Sequence, residues 1–260
     1  MTINRRTLLL GTAASSVAPF GVAISAPVVL KGRLRRVSQG ELSGAIEAHA
    51  IWFADNSLGR RAMFADCDLS DLDFHQEQTA LVNLRGSDFT GSDLTGIRGD
   101  NVSFLRSSLH GARLSWSQLK RPCFSYASLR SAACDHVVWG WNDWPVSNPS
   151  RAAPEDGGVF FHTDAAKSNF SQCSIRGMFV EATFIGANLA EADLSYSTFP
   201  GQRHYETSFY GANLSRAKFR SAVIAAARFC KATCDGANLT DAEIGCWVKF
   251  PAGTTVTQIA

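Results

Sequence analysis

The sequence predicts an all-β fold in which the chain winds into a four-sided solenoid. The first observation is a step of five residues, because twelve of the fourteen positions taken at this step from Phe64 to Leu129 hold Leu or Phe. The second is that a small residue usually stands two places before each of them. The third is that the same step returns between Phe179 and Ile244. Self-similarity at a fixed period indicates a repeat architecture.

A period of five residues suits neither a helix nor a strand. In a helix it would rotate the apolar residue around the axis, and in a strand it would send alternate repeats to opposite faces. A chain that turns one corner per repeat directs every large residue to a shared axis, and four corners close a coil of about twenty residues. Stacked coils would then pair through their backbones about 4.8 Å apart. A parallel β-helix with longer rungs is the structural alternative.

Four segments share the central order Ala, then Asn or Asp, then Leu: residues 186–190, 191–195, 211–215 and 236–240. They resemble the A(D/N)Lxx unit of the pentapeptide-repeat family. This resemblance covers about two thirds of the chain and implies a right-handed quadrilateral β-helix. We expect about eight coils in two blocks, residues 60–144 and 168–248.

The leader, residues 1–36, precedes the repeats. It begins with Asn4-Arg-Arg-Thr-Leu-Leu-Leu and continues as a run rich in Ala, Gly and Ser up to Ala26. This pattern resembles a twin-arginine signal peptide, in which Arg5 and Arg6 carry the signal. The resemblance implies the twin-arginine export machinery as a partner and a periplasmic location. A leader on a cytoplasmic protein and a retained membrane anchor are the alternatives.

Residues 37–59 are predicted to form an N-terminal capping helix. Ser38 and Glu41 have the spacing of a capping box, and apolar residues follow at helical spacing, which predicts a helix over residues 39–54. This helix would cover the open strand edge at the start of the tube. The segment His49-Ala-Ile-Trp52 resembles the lead-in of many pentapeptide-repeat proteins, so His49 is interpreted as a packing residue.

A Pro- and Gly-rich segment, residues 145–167, is predicted to leave the tube as an inserted loop. Three tryptophans within six residues precede it, and Trp is a preferred interface anchor. Alternatively, Trp139 and Trp144 keep the five-residue step and point inward. A metal site is disfavoured because the spacing of its four candidate ligands matches no known motif: His136, Asp143, His162 and Asp164. The candidate interaction residues are Trp139, Trp141, Asp143 and Trp144.

One repeat of the second block is irregular. Gln202 and His204 stand where a small and a large inward residue are expected, with Arg203 and Tyr205 beside them, so this repeat is either a bulge or a functional site. The tail, residues 249–260, is predicted to close the far end of the tube. The family resemblance implies a two-fold homodimer through this C-terminal cap.

The composition opposes several functional classes. Six basic residues precede the first acidic one, and the remaining 19 basic residues face 23 acidic ones, so residues 41–260 carry a weak negative charge. No nucleic-acid partner is expected, because binding to nucleic acid needs a concentrated basic patch. The seven cysteines form no CxxC motif and indicate neither a disulfide framework nor a metal site.

No catalytic motif, phosphate-binding loop or cofactor motif is present in the sequence. The chain is therefore predicted to be a non-enzymatic exported protein that acts as a rigid protein-interaction or structural scaffold for an unknown protein partner. The alternative implied by the resemblance is a DNA mimic that binds DNA gyrase or topoisomerase and confers resistance to inhibitors. The weak charge and the predicted export oppose that alternative. A third hypothesis is that the tryptophan loop binds a ligand or a membrane surface.

Overall fold

A computed structural model of the chain describes residues 34–74, 82–140, 157–201, 205–246, 248–251 and 256–257. In these residues a two-residue strand and one helix are followed by further short parallel strands that wind into a β-solenoid. The predicted four-sided β-helix with an N-terminal helix is confirmed. Arg5 and Arg6 lie outside the described residues.

The helix α1 is Gln39–Ala54. Most strands have only two residues, because each repeat turns a corner after its inward residue. In chain order, the strands β1 to β17 are Arg35–Arg36, Cys67–Asp68, Val82–Asn83, Arg98–Asp100, Val102–Ser103, Gln118–Lys120, Val138–Trp139, Gly158–Phe161, Ser174–Ile175, Gly177–Val180, Thr198–Phe199, Thr207–Ser208, Val223–Ile224, Ala227–Arg228, Ala237–Asn238, Glu243–Ile244 and Val256–Thr257.

Parallel pairing between successive coils builds four ladders, which we call faces 1 to 4. Face 1 consists of Met63, Asp88, Ser108, Ser128, Asp164, Thr183, Ser208, Arg228 and Lys249. Face 2 consists of Asp68, Asp93, Arg113, Ala133, Asn169, Asn188, Asn213 and Thr233. Face 3 consists of Asp73, Arg98, Gln118, Val138, Ser174, Asp193, Lys218 and Asn238. Face 4 consists of Asn83, Ser103, Cys123, Val159, Met178, Thr198, Val223 and Glu243.

The core is a column of stacked rings along the solenoid axis. Ring centroids are 5.1 Å apart between Phe104 and Phe124, and 4.9 Å apart between Phe179 and Phe199. The large inward side chains of the regular coils are fully buried, and so are most of the small residues beside them. Aromatic and aliphatic side chains therefore fill the axis at the density of a protein interior.

The corners of the coil hold residues in the left-handed backbone region. The residue two places after the large inward one has a positive φ, for example 64° at Trp116 and 56° at Tyr126. Many corners hold Gly, which adopts this region without a steric penalty. At the other corners the side chain projects outward, so the corners present exposed side chains between the flat faces.

The predicted loop 145–167 is wrong at its C-terminal boundary. Strand β8 lies inside it and pairs with β10, and Phe160 is buried in the core. Phe160, Ala165, Phe170 and Ile175 keep the five-residue step, but the next inward residue, Phe179, follows after four residues. This four-residue step shifts the five-residue frame by one position. The frame that contains Phe179 therefore does not identify Phe160 as an inward residue, and the second block begins earlier than predicted.

Three coils are longer than the regular twenty residues by five or more. In the coil that contains residues 141–156, Cys123 pairs with Val159, 36 residues apart, and the other two long coils have smaller insertions. Met63 pairs with Asp88 and Thr183 pairs with Ser208, in both cases 25 residues apart. The extra residues fall between face 3 and face 4 in the first coil, and between face 4 and face 1 in the later one. The irregular repeat at Arg203 and His204 lies in the second of these places, outside the described residues.

Helix α1 is fixed to the first coil by side-chain hydrogen bonds. The capping box is complete, since Glu41 N donates to Ser38 Oγ and Ser38 N donates to Glu41 Oε2. The Gln39 side chain bonds both backbone polar groups of Asp73, at 2.7 and 3.0 Å. His49 is fully buried, and its Nδ1 accepts a hydrogen bond of 3.1 Å from Ala62 N. His49 is therefore a packing residue of the cap, as its sequence context indicates.

Acidification should destabilise this cap through His49. Burial, with a smaller contribution from the charge of Arg61, lowers the pKa of His49 below its ordinary value of 6.5. Between these two pKa values the unfolded chain binds a proton that the folded chain does not, so stability falls as the pH drops below about 6.5.

The measurement is urea denaturation of the wild type and of His49→Gln at pH 7.5 and pH 5.5. Glutamine keeps a hydrogen-bond acceptor for Ala62 but does not titrate, so His49→Gln should lose less stability on acidification than the wild type. An equal loss in both proteins would contradict the assignment to His49.

The far end of the tube is closed by further ring stacking. Phe250 lies over Phe229 with ring centroids 4.7 Å apart, and β17 pairs with β15. Trp247 lies outside the described residues. The homodimer through this end stays a prediction.

Candidate functional site

The interior of the solenoid offers no binding site at Trp139. Its side chain is fully buried, its ring stacks on Phe124 at 4.7 Å, and its Nε1 donates a hydrogen bond of 2.9 Å to Ser117 Oγ. Trp139 is thus a core residue and not part of an interaction loop, in agreement with the inward-pointing alternative. A buried indole usually satisfies its N–H in this way.

The other predicted interaction residues are placed only in part. Trp141, Asp143 and Trp144 lie outside the described residues, as do Arg203 and His204. Tyr205 is described, and 60% of its surface is exposed. The described chain stops at Gly140 and resumes at Gly157, and both glycines lie near Arg176, at the corner between face 3 and face 4.

The disfavoured metal site is not assembled among its described members. His136 lies at the corner after face 2, whereas His162 lies at the corner after face 4. His162 is 3.5 Å from Glu181, and Asp164 pairs with Arg130 at 3.1 Å. No group of His, Cys, Asp and Glu side chains within the described ranges could hold a metal ion.

The buried cysteines are unreactive packing residues. Burial raises the pKa of the Cys134 and Cys173 thiols, and it raises that of Cys234 to about 11. A thiol acts as a nucleophile only after it has lost its proton. At neutral pH these three thiols therefore stay protonated and act as small packing residues.

Faces 1 to 3 are mostly polar, and many of their side chains bond to neighbours on the next coil. The amide of Asn188 donates to Asn169 at 3.0 Å, and that of Asn213 donates to Asn188 at 3.1 Å. Ion pairs such as Lys218–Asp193 continue the pattern on face 3. Exposed pairs of this kind contribute little stability, but they leave few polar groups on these faces free for a partner.

Face 4 differs from the other faces because it presents several apolar side chains side by side on adjacent coils. Val159 pairs with Met178, and Phe161 pairs with Val180, on the two longest strands of the described chain, β8 and β10. Alternate residues of a strand face opposite sides, and these four side chains are partly exposed while their neighbours are buried. The face 4 ladder carries no charged residue before Glu243.

An aromatic column borders face 4 on the side of face 1. The Arg106 guanidinium lies 5.5 Å from the ring centroid of Tyr126, which stacks on His162 at 5.0 Å. The Phe161 ring is 5.4 Å from Tyr126, and His162 in turn contacts Glu181. Tyr126 remains 48% exposed. Cation–π and stacking contacts hold these side chains in fixed positions at the edge.

The opposite edge of face 4 also holds arginines. Arg176 lies over the Tyr196 ring at 5.5 Å, and Arg121 makes an ion pair of 2.8 Å with Asp100. Face 4 therefore combines an apolar centre with edges of Arg and Tyr. The sequence signal for this surface is a set of apolar residues at outward positions, whereas the five-residue step identifies only inward positions.

A second exposed aromatic pair lies at the corner between face 2 and face 3. The Trp116 ring stacks on His136 with centroids 4.1 Å apart, and 59% of Trp116 is exposed. On the ladders beside this pair, Arg113 and Gln118 flank Trp116, whereas Ala133 and Val138 flank His136. Apolar neighbours are therefore present at only one of the two levels of the pair.

In the described part of the chain, the one helix is too short to cross a lipid bilayer. This helix is the cap α1, which packs on the first coil through Leu42 and Ile46. Its hydrophobic residues therefore serve the core of the solenoid.

The chain is similar to several solved structures at low identity. QnrB1, a plasmid-mediated fluoroquinolone resistance protein, is 16% identical over 76% of this chain and 92% of its own, with a TM-score of 0.36. HetL, a protein of heterocyst differentiation regulation from Nostoc sp. strain PCC 7120, is 20% identical over 72% and 76%, with a TM-score of 0.25. AT2G44920 from the Arabidopsis thaliana thylakoid lumen is 17% identical over 55% and 70%, with a TM-score of 0.31.

No curated protein sequence matches the chain. The comparison with protein families is more specific and agrees with the geometry of the coils. Eight copies of the family model described as pentapeptide repeats match residues 83–121 and 207–243, one range in each block of the solenoid.

Proposed function

We propose that this chain is an exported, non-enzymatic scaffold that binds a protein partner through the outside of a rigid β-solenoid. The observation that carries the proposal is the filled axis, in which stacked Phe rings and small residues are fully buried. Because no space remains along this axis, recognition must use the outer faces and corners.

The chemistry of the outer surface favours a protein as the partner. Tyr and Arg are enriched at the energetically dominant positions of protein interfaces, and both lie on the edges of face 4. Nucleic acid would require a concentrated basic surface, whereas many of the basic side chains on this solenoid are paired with acids.

The export part of the proposal rests on the leader sequence. Arg5 and Arg6 precede a modestly apolar run, as in twin-arginine signal peptides. All seven cysteines are free in the structure, and four of them are buried. A protein that folds with free thiols before export does not depend on periplasmic oxidation.

Replacing Arg5 and Arg6 together by lysine should block export. We expect the wild type in the periplasmic fraction and the double variant in the cytoplasm with its leader intact, as measured by cell fractionation and immunoblotting. The matched control is Arg35→Lys with Arg36→Lys, which changes a second arginine pair outside the signal and should leave export unchanged. If wild type and double variant both stay in the cytoplasm, the export proposal fails and the gyrase-binding alternative gains support.

A further inference from the structure

We propose that face 4 is the docking surface for an acidic amphipathic helix of the partner protein, whose apolar stripe is flanked by carboxylates. This inference rests on the proposed scaffold function and names the surface and the partner chemistry. It does not depend on export.

The apolar centre of face 4 has no role in the core. Val159, Phe161, Met178 and Val180 point away from the axis and remain partly exposed, whereas the alternate residues Phe160 and Phe179 point inward and are buried. The corresponding ladder positions on faces 1 to 3 hold mostly polar residues. A contiguous apolar strip on an otherwise polar surface marks an interaction site.

The size of the strip fits one helix. A rung of four residues spans roughly 10 Å, and an α-helix with its side chains is roughly 10–12 Å wide. From Cys123 to Val223 the face has five levels, about 19 Å in length at about 4.8 Å per level, and the apolar strip lies within this length. A helix of about four turns would cover it along the solenoid axis.

The charges at the edges define what flanks the apolar stripe of the partner. Arg106 on one edge and Arg176 on the other are each held over a tyrosine ring, and neither pairs with an acid among the described residues. A guanidinium binds a carboxylate in a bidentate geometry, and its fixed position lowers the entropic cost of doing so. Carboxylates on both flanks of the partner helix would therefore form ion pairs with Arg106 and Arg176.

A second copy of the chain does not supply the carboxylates that would pair with Arg106 and Arg176. It would bring the same two arginines to the interface, and Glu181 at the edge is already in contact with His162. Like charges placed together at an interface oppose association. The charge pattern therefore favours a different, acidic partner.

The test uses two synthetic helical peptides of about 18 residues with the same Leu and Phe stripe, one flanked by Glu and the other by Lys. Each carries a fluorescent label and is titrated with the full chain, with fluorescence anisotropy as the readout. We expect the Kd of the Glu peptide to be at least tenfold lower than that of the Lys peptide. Met178→Asp should raise the Kd of the Glu peptide at least tenfold, and Arg106→Glu with Arg176→Glu should reverse the preference.

The matched control is Thr183→Asp, which introduces the same charge at a ladder position of face 1 and should leave the Kd unchanged. Far-ultraviolet circular dichroism of each variant shows that the solenoid is intact. Equal affinity for both peptides, or an effect of Thr183→Asp as large as that of Met178→Asp, would overturn the inference.

Two further outcomes would show that face 4 binds something other than an acidic helix. Binding to phosphatidylglycerol vesicles that is lost in Met178→Asp would make face 4 a lipid-binding surface. A wild-type dimer that Met178→Asp converts to a monomer in sedimentation would make it a self-association surface. Photocrosslinkers can also be placed at position 188, on face 2, and at position 178, on face 4. Capture of a partner at position 188 but not at position 178 would support the scaffold function and exclude face 4 as the docking surface.

Discussion

Replacing Trp139 by alanine should lower the free energy of unfolding by about 3–5 kcal/mol. The side chain is fully buried, and its ring contacts those of Phe124, Phe160 and Phe170 at centroid distances of 4.7, 6.2 and 5.8 Å. Alanine would leave a cavity between two coils, because the backbone ladders on both sides prevent the coils from closing over it. The Ser117 hydroxyl would also lose its hydrogen bond to the indole.

The measurement is urea denaturation followed by far-ultraviolet circular dichroism. Trp116→Ala is the matched control, because it removes the same side chain from an exposed corner and should cost less than about 1 kcal/mol. The free energy of unfolding of Trp139→Phe should lie between those of the two alanine variants. A ring is retained in this variant, but the Ser117 hydroxyl is left without its partner. Equal stabilities of Trp139→Ala and Trp116→Ala would mean that Trp139 does not belong to the core.

The inward half of the structure is predictable from the sequence because most repeats obey the same steric rule. A large residue fills the axis in most repeats and a small one lies beside the corner, so the step of five identifies most of both sets. Ile97 and Gly99 exchange these sizes, and Val102 and Val137 are fully buried at the position of the small residue. The rule also fails where the repeat length changes. Between Ile175 and Phe179 the step is four residues, and the core position of Phe160 is consequently assigned to a loop.

The outward half is not predictable in the same way. Val159 and Met178 are 19 residues apart, Cys123 and Val159 are 36 residues apart, and each pair lies side by side on face 4. These separations depend on insertions and on one shortened repeat, so the neighbours of an outward residue are known only after the coils are stacked. An apolar strip formed by such neighbours has no fixed period in the sequence.

Replacing Gly177 by alanine should destabilise the protein by about 1–3 kcal/mol. A Cβ atom at this position would lie 2.5 Å from the carbonyl oxygen of Gly158 and 2.9 Å from Cε2 of Phe160. The first of these contacts is with the backbone of the adjacent strand, which cannot rotate away. Strands β8 and β10 would therefore have to separate.

The matched control is Gly111→Ala, at a corner with a φ of 64° and no atom within 4 Å of the added carbon. Gly111→Ala should lower the free energy of unfolding by no more than about 1 kcal/mol. Non-glycine residues such as Ser131 and Lys167 occupy the same backbone region at equivalent corners. Urea denaturation measures both variants. If Gly177→Ala is no less stable than Gly111→Ala, the close approach of the two strands is wrong.

The close approach at Gly177 also links the core to the proposed docking surface. Most repeats hold Ala or Ser at this inward position, but Gly158 and Gly177 allow two four-residue strands to pair directly where one repeat is shortened. The longer pairing places Phe161 beside Val180 and widens the apolar strip to two residues per level. Gly177→Ala should therefore weaken binding of the Glu-flanked peptide even under conditions in which the solenoid remains folded, whereas Gly111→Ala should not.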